Sequence, residues 1–257
     1  MSPSEAREGS DGPEAPLPRD RRREVVRQSL YVGGATGAYG VSFGALSVAS
    51  GLDVAQTQVL SLLLFSGGSQ FAVAGVLGAG GGGAAAVATS TLLGVRNGLY
   101  ALQTSRFLGV SGVRRLFAAQ LTIDESTAVG VGQPEPPAQR LGFWLTGLTV
   151  FVGWNLMTLL GALVGNALGD PRRWGLDAAA AAAFAALLWP RLRSGDAAAT
   201  AVLAILIALV TTPFLPAGVP VILAALAALV VGLRRPGRHE ADLEGADGTL
   251  PGSDPVP

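Results

Sequence analysis

The sequence predicts an all-α integral membrane protein: a polytopic bundle of seven clear transmembrane helices and one further short or re-entrant helix. Its composition indicates this class, because 49% of the 257 residues are hydrophobic and 14% are charged, whereas soluble domains contain about 25% charged residues. The apolar residues also form stretches long enough to cross about 30 Å of hydrocarbon. The charged residues lie mainly near the two termini and in short joints between these stretches.

Seven apolar stretches are the candidates for the transmembrane helices. About 20 residues cross the hydrocarbon core, so the last three stretches are short but sufficient. We expect one transmembrane domain over residues 29–233, with disordered cytoplasmic tails at residues 1–28 and 234–257. The first tail has no short apolar core with a cleavage site, which argues against a cleaved signal peptide. The stretches are residues 29–50, 54–79, 84–105, 141–168, 175–190, 197–212 and 217–233.

Small residues line one face of the first and fourth stretches. Their spacings of three and four residues place them one above another on a helix. In membranes, small residues let two helix backbones approach closely. The sequence therefore predicts close helix contacts along two glycine faces, formed by Gly33, Gly37, Gly40 and Gly44 and by Gly161, Gly165 and Gly169.

The second stretch is interrupted by polar residues and glycines between Phe65 and Phe71. Two adjacent glycines weaken a helix, and the glutamine that follows them needs hydrogen-bond partners that lipid cannot supply. We therefore predict a broken helix near residues 66–70, of the kind whose half-helix ends bind solute in transporters. Close packing of a neighbouring helix against the glycines is the alternative. The residues concerned are Ser66, Gly67, Gly68, Ser69 and Gln70.

The third stretch contains Arg96, and a central arginine costs about 2.5 to 3.5 kcal/mol in a membrane helix. Thr89, Tyr100 and Gln103 share its helical face, so the arginine belongs to a polar stripe. Either Arg96 meets an anionic group such as a substrate carboxylate, or it pairs with an acid on another helix or lies at the membrane interface. In the fourth stretch Asn155 also needs an internal partner, and a hydrogen bond between helices is the simplest one.

Residues 116–131 are the uncertain crossing, because Asp124 and Glu125 make this segment polar. Gln120, Asp124 and Thr127 lie at spacings of four and three, so we expect them on one helical face, with Glu125 about 100° away. A carboxyl group in a low-dielectric cavity can exchange a proton near neutral pH, which makes this acidic pair a candidate for proton coupling. A loop outside the membrane is the alternative.

Arginine placement favours eight crossings over seven. With the amino terminus in the cytoplasm, the eighth crossing moves the arginines of residues 191–238 to the cytoplasmic side, where positive charge is enriched. It leaves the arginines of residues 106–115 and 172–173 outside, so neither count satisfies the tendency fully.

Several function classes lack support in the sequence. The chain has no cysteine and a single histidine, His239 in the polar tail, so no thiolate or histidine metal site is expected. Metalloprotease and phosphate-loop motifs are absent, and no basic patch with interleaved aromatic residues indicates nucleic acid as a partner. We therefore expect no enzymatic activity, no metal and no cofactor.

Five short motifs follow one another along the membrane region: Gly40–Leu46, Phe65–Phe71, Arg96 with Leu99 and Tyr100, Gly153–Gly165, and Gly175–Asp177. In this order and spacing they resemble the AzlC-type family of branched-chain amino acid exporters (permeases), large subunit. The family usually has asparagine-leucine-arginine-histidine where this chain has Gly94 to Asn97. A role of the family's asparagine or histidine therefore cannot be assigned to this chain. It also reads threonine-aspartate-glutamate, whereas here Ile123 separates Thr122 from the acids.

The resemblance implies a secondary transporter that exports branched-chain or related hydrophobic amino acids across the bacterial plasma (inner) membrane. It also implies a small hydrophobic AzlD-type membrane subunit as partner. We expect alternating access within a transporter domain over residues 29–233, with proton coupling through Asp124 and Glu125. A non-transporting scaffold or assembly subunit is the alternative, motivated by the glycine faces. The expected substrate-binding residues are Ser66, Gly67, Gly68, Ser69, Gln70, Arg96, Asn97, Tyr100 and Asn155.

Overall fold

The computed structural model describes residues 16–168, 194–216 and 218–233, together with Ala185, Leu188, Trp189 and Leu192. Nine α-helices and no strand occur in this part of the chain, which confirms the all-α prediction. The helices are α1 (Arg19–Ala49), α2 (Val54–Leu63), α3 (Gly67–Gly78), α4 (Gly83–Leu108), α5 (Val113–Gln120), α6 (Asp124–Val131), α7 (Pro136–Ala167), α8 (Gly195–Thr211) and α9 (Val219–Leu233).

The helices differ from the predicted set of spans. Among the described helices, α7 alone is both long and apolar enough to cross a membrane, judged by length and composition, so seven spans are not confirmed. Helix α1 begins at Arg19, so the expected disordered tail at 1–28 is helical in its last part, where Val25 is fully buried. The predicted stretch at 175–190 lies almost entirely outside the described residues, and the predicted tail at 234–257 lies wholly outside them.

Helices α1 and α7 pack in the same direction, with backbone against backbone. A Cβ atom at Gly37 would stand 3.0 Å from the Cα of Gly153, and one at Gly44 would overlap the Thr158 carbonyl. Only small residues permit this approach, so the predicted glycine contact is confirmed. It also includes Gly33, Gly40, Gly161 and Gly165, whereas Gly169 lies outside the described residues.

Helices α2 and α3 form a re-entrant hairpin. The start of α2 lies at the carboxyl end of α1, where Thr57 donates a hydrogen bond to Ser47 at 2.9 Å. The end of α3 returns to the same place, because a Cβ atom at Gly78 would stand 2.9 Å from the Ser50 hydroxyl. With 10 and 12 residues, the two helices are about 15 and 18 Å long, roughly half the hydrocarbon thickness. The stretch 54–79 therefore enters and leaves on one side, contrary to the prediction of a crossing.

Helices α5 and α6 form a second re-entrant hairpin that enters from the opposite side. Helix α6 begins where Leu121 meets Gly147 on α7, and it ends where Gln133 donates a 3.0 Å hydrogen bond to Gln28 near the amino end of α1. Between the two hairpins, α4 runs from the end of α3 to the start of α7, where the Phe107 carbonyl accepts a 2.8 Å hydrogen bond from an arginine. The tips of the two hairpins consequently meet inside the bundle.

The last two described helices, α8 and α9, are joined by a turn at the carboxyl end of α1. A Cβ atom at Gly218 would stand 2.8 Å from Ala85 at the start of α4 and 3.1 Å from Val76 near the end of α3. Gly218 has φ +95°, a conformation that favours glycine. Helix α9 therefore starts on the side of the bundle where α1 ends.

Candidate functional site

A cavity of about 340 Å³ lies where the tips of the two hairpins meet, a volume within the range of small-molecule sites. Aromatic rings form much of its wall. Phe71 packs edge-on against Trp154 with 6.3 Å between ring centroids, and Tyr39 lies against both rings. Six predicted site residues line this cavity, namely Ser66, Gly67, Gly68, Arg96, Asp124 and Glu125.

The first hairpin presents a helix amino terminus to the cavity. The chain leaves helical geometry at residues 64–66, so the predicted break near residues 66–70 is confirmed slightly earlier than expected. Gly67 and Gly68 are the first residues of α3. The first amides of a helix have no carbonyl partner within it and lie at the positive end of the helix dipole. Both glycines line the cavity, so these amides are candidates to bind an anionic group there.

An ion pair joins α4 to the second hairpin at the cavity wall. Arg96 donates from Nη1 to the Asp124 carboxylate at 2.9 Å, and the two side chains are 31% and 29% exposed. The interpretation of Arg96 as the partner of an acid on another helix is thus the one that the geometry favours. Glu125 lines the same cavity beside Thr36 of α1 and forms no ion pair within the described part of the chain. The cavity therefore carries one net negative charge when Glu125 is ionised.

Helix α2 ends in carbonyl groups that two glutamines bind. Gln70, which is fully buried, donates to the Ser61 carbonyl at 3.2 Å. Gln120 donates to the Leu62 carbonyl at 2.8 Å, so the second hairpin contacts the first. Gln70 was expected to bind substrate, but its amide nitrogen instead satisfies a carbonyl that the helix break leaves free.

The other predicted residues lie behind the cavity wall. Ser69 donates to an α4 carbonyl at 3.1 Å, and Asn97 donates to the Thr122 carbonyl at the second tip at 3.2 Å. Asn155 donates to a carbonyl one turn earlier on α7 at 2.8 Å. It also accepts a longer, 3.4 Å hydrogen bond from a glutamine of α2, which is the expected hydrogen bond between helices. Tyr100 lies one turn beyond the cavity on α4. These four residues support the site and do not line it.

The segment predicted as one helix at 116–131 forms two helices of eight residues each, α5 and α6. Gln120 ends α5 and Asp124 begins α6, so Gln120 does not share the predicted face, whereas Asp124 and Thr127 remain together on α6. Serine and threonine hydroxyls at the tip bind backbone groups, with one hydroxyl accepting from the Ile123 amide at 3.1 Å. Such local hydrogen bonds compete with those of a continuous helix.

Sequence reasoning missed Thr36, Tyr39 and Trp154 as cavity residues. Trp154 is 3% exposed, and its Nε1 has no hydrogen-bond partner within the described residues. The same holds there for the Tyr39 hydroxyl and for Nε of Arg96. Unsatisfied buried polar atoms of this kind need an explanation, and a ligand or water in the cavity is one. The signal in the sequence was a large aromatic residue within each glycine-rich helix, Tyr39 in α1 and Trp154 in α7.

The sequence model of the AzlC protein family matches residues 32–168, a range that runs from α1 to the end of α7. The range contains both hairpins and every cavity residue except Leu188. The chain belongs to the AzlC family. No curated protein and no solved structure matches it. Family membership and the apolar helices make it a membrane protein with a transport-related role.

The AzlC-family site can bind a small ligand by charge and by apolar contact. Helix amides, donor-only side chains, carboxylates and aromatic rings all line the same cavity. In the described ranges, no group of three or more histidine, aspartate or glutamate side chains lies together as a metal site would require. The chemistry that these residues offer is reversible binding and proton exchange.

Proposed function

We propose that this chain is a secondary transporter that exports branched-chain or related hydrophobic amino acids across the bacterial plasma membrane by alternating access. The observation that carries the proposal is the cavity between two opposed hairpins, with accessible amides at Gly67 and Gly68 and an aromatic wall. Half-helix amino termini suit a substrate carboxylate, and the rings suit an apolar side chain. The resemblance to branched-chain exporters supports the choice of substrate.

Proton coupling belongs, in this proposal, to the acidic pair at the start of α6. Asp124 and Glu125 are the carboxyl groups that line the cavity. A carrier that exchanges a proton for its substrate needs a carboxyl group that both the substrate and the aqueous phase can reach. Behind the wall, Asn97 of α4 binds the tip of the second hairpin, and Asn155 of α7 accepts a hydrogen bond from Gln58 of the first.

The positions of the arginines support a cytoplasmic amino terminus. Because both hairpins re-enter, α4 alone returns the chain from the end of α1 to the start of α7. Arg106, Arg114 and Arg115 then lie on the same side as Arg19–Arg27, which the count of seven or eight crossings did not allow. Arg234 directly follows α9, which starts on the opposite side, next to the carboxyl end of α1. Most arginines of the described residues then lie on the side of the amino terminus, and the positive-inside tendency favours the cytoplasm for that side.

Counterflow in lipid vesicles tests the proposed function. The purified chain is reconstituted with and without the small AzlD-type subunit, which is the proposed partner, in vesicles loaded with valine. We expect uptake of labelled valine above protein-free vesicles, with competition by leucine and isoleucine and none by lysine, because the aromatic wall favours an apolar side chain. Assembly with the partner but no flux of any amino acid would instead support the scaffold alternative.

A further inference from the structure

The polar groups of the cavity come from two places: the start of α3 beside Arg96, called the first end, and Glu125 of α6, called the second end. The first end donates hydrogen bonds, from the amides of Gly67 and Gly68 and from the Arg96 guanidinium. The second end is acidic, with Glu125 of α6 beside the Thr36 hydroxyl of α1. The positive charge of Arg96 is already compensated by Asp124 at 2.9 Å. Glu125 is therefore the group whose negative charge is available to a ligand.

We infer that the cavity holds a zwitterion with its carboxylate at the start of α3 and its amine at Glu125, and that this amine and a proton bind Glu125 in turn. The inference rests on the proposed transport function. It adds the orientation of the substrate and the residue at which substrate and proton compete. Thr36, the hydroxyl beside Glu125, is the second contact for the amine.

Unpartnered donors give a second, independent indication of a ligand at the first end. Trp154 is 3% exposed, and both its Nε1 and Nε of Arg96 lack partners within the described residues. Indole and guanidinium nitrogens donate hydrogen bonds and cannot accept them. A carboxylate has about four acceptor positions, so one such group can satisfy these donors together with the amides of α3.

Exchange at Glu125 follows from the charges that face it. Arg96 from α4 and Asp124 from α6 compensate each other, α1 contributes the uncharged phenol of Tyr39, and α7 contributes no titratable side chain to the cavity. An ionised Glu125 therefore attracts an ammonium group, and a protonated one does not. In this proposal the proton comes from water that enters the cavity, and it must leave Glu125 before the next amine binds.

Three related probes test this orientation in reconstituted chain and partner subunit: valine, its 2-oxo acid without the amine, and valinamide without the carboxylate. The measurement is inhibition of labelled valine counterflow. A charge-assisted hydrogen bond corresponds to about a ten- to hundredfold difference in affinity. We expect Glu125→Gln to weaken valine and valinamide by this factor and to leave the 2-oxo acid unchanged.

The matched control is Glu135→Gln, which removes a carboxylate outside the cavity. Glu135 accepts a hydrogen bond from Arg21 at 3.2 Å on the surface. Glu135→Gln should therefore leave the affinity for each of the three probes unchanged. In the wild-type chain, valine should bind more weakly as the pH falls, because protons compete for Glu125. The pH dependence should disappear in Glu125→Gln and persist in Glu125→Asp, a variant that also serves if the glutamine variant does not fold.

Two results would overturn the orientation while leaving transport intact. One is an equal loss of valine and 2-oxo acid binding in Glu125→Gln, and the other is unchanged valine binding with unchanged pH dependence. Failure of the wild-type chain to bind or move valine is a different result, because it contradicts the proposed function itself.

Discussion

The two re-entrant hairpins share one plan but differ in the chemistry of their tips. Each places a helix amino terminus inside the bundle, α3 at Gly67 and α6 at Asp124. Acidic side chains stabilise such a terminus, and α6 has Asp124 and Glu125 in its first turn. The glycines of α3 provide no such group. One half-helix end therefore has acidic side chains of its own, whereas the other, at Gly67, is the end that the proposal assigns to the substrate carboxylate.

The two tips are also held differently. Two glutamine side chains bind the carbonyls at the end of α2, one from α3 and one from α5. The second tip is held by Asn97 of α4 and by its own hydroxyl groups. The first hairpin therefore depends on the second for one of its hydrogen bonds.

Removal of Arg96 should have the largest effect, because this residue lies between the two tips. Arg96→Ala leaves the Asp124 carboxylate without its cation and removes a donor from the carboxylate end of the cavity. A hydrogen bond to a charged group contributes about 1.5–3 kcal/mol. We therefore expect valine counterflow to fall at least about tenfold at equal amounts of reconstituted protein.

A double-mutant cycle separates the ion pair from other roles of the arginine. In an Asp124→Ala background, Arg96→Ala should cost less flux than in the wild-type chain, because the partner is already absent. Equal losses in both backgrounds would show that the ion pair between α4 and the second hairpin has no part in transport.

The two glutamines that bind α2 should differ in their effect on stability. Gln70 is fully buried, whereas Gln120 is bound near the surface. We expect Gln70→Ala to lower the free energy of unfolding by about 1–3 kcal/mol and Gln120→Ala by about 0.5–1.5 kcal/mol. Unfolding of the purified variants in detergent measures both values. The reverse order would mean that the contact between hairpins stabilises α2 more than the contact within the first hairpin.

The adjacent glycines of the first tip offer a matched pair with a smaller expected effect. A Cβ atom at Gly68 would stand 3.1 Å from Nη2 of Arg96, whereas one at Gly67 would stand 3.8 Å from the Trp154 ring, an ordinary contact. We expect Gly68→Ala to weaken valine binding by about three- to tenfold and Gly67→Ala to bind like the wild-type chain. Competition against labelled valine measures this, and equal losses would contradict a specific role for the space beside Arg96.

Local features of the structure could be predicted from the sequence. The glycine spacing predicted the close contact of α1, and the run from Phe65 to Phe71 predicted a helix break. The site prediction included the helix terminus that lines the cavity, and it also named Gln70, whose amide nitrogen binds the Ser61 carbonyl. A buried glutamine needs a partner in either case, and a sequence does not tell whether that partner is a ligand or a carbonyl of the same hairpin.

The sequence alone determined which segments are apolar, where the helices break and which faces carry glycine, because these properties depend on residues close together in the chain. Only the tertiary structure decided that the chain turns back at each break. Two half-helices have the same combined length whether they continue across the membrane or return, so hydropathy and length fit both arrangements. The Arg96–Asp124 pair and the position of Glu125 in the cavity follow from that return, since it brings the two tips together.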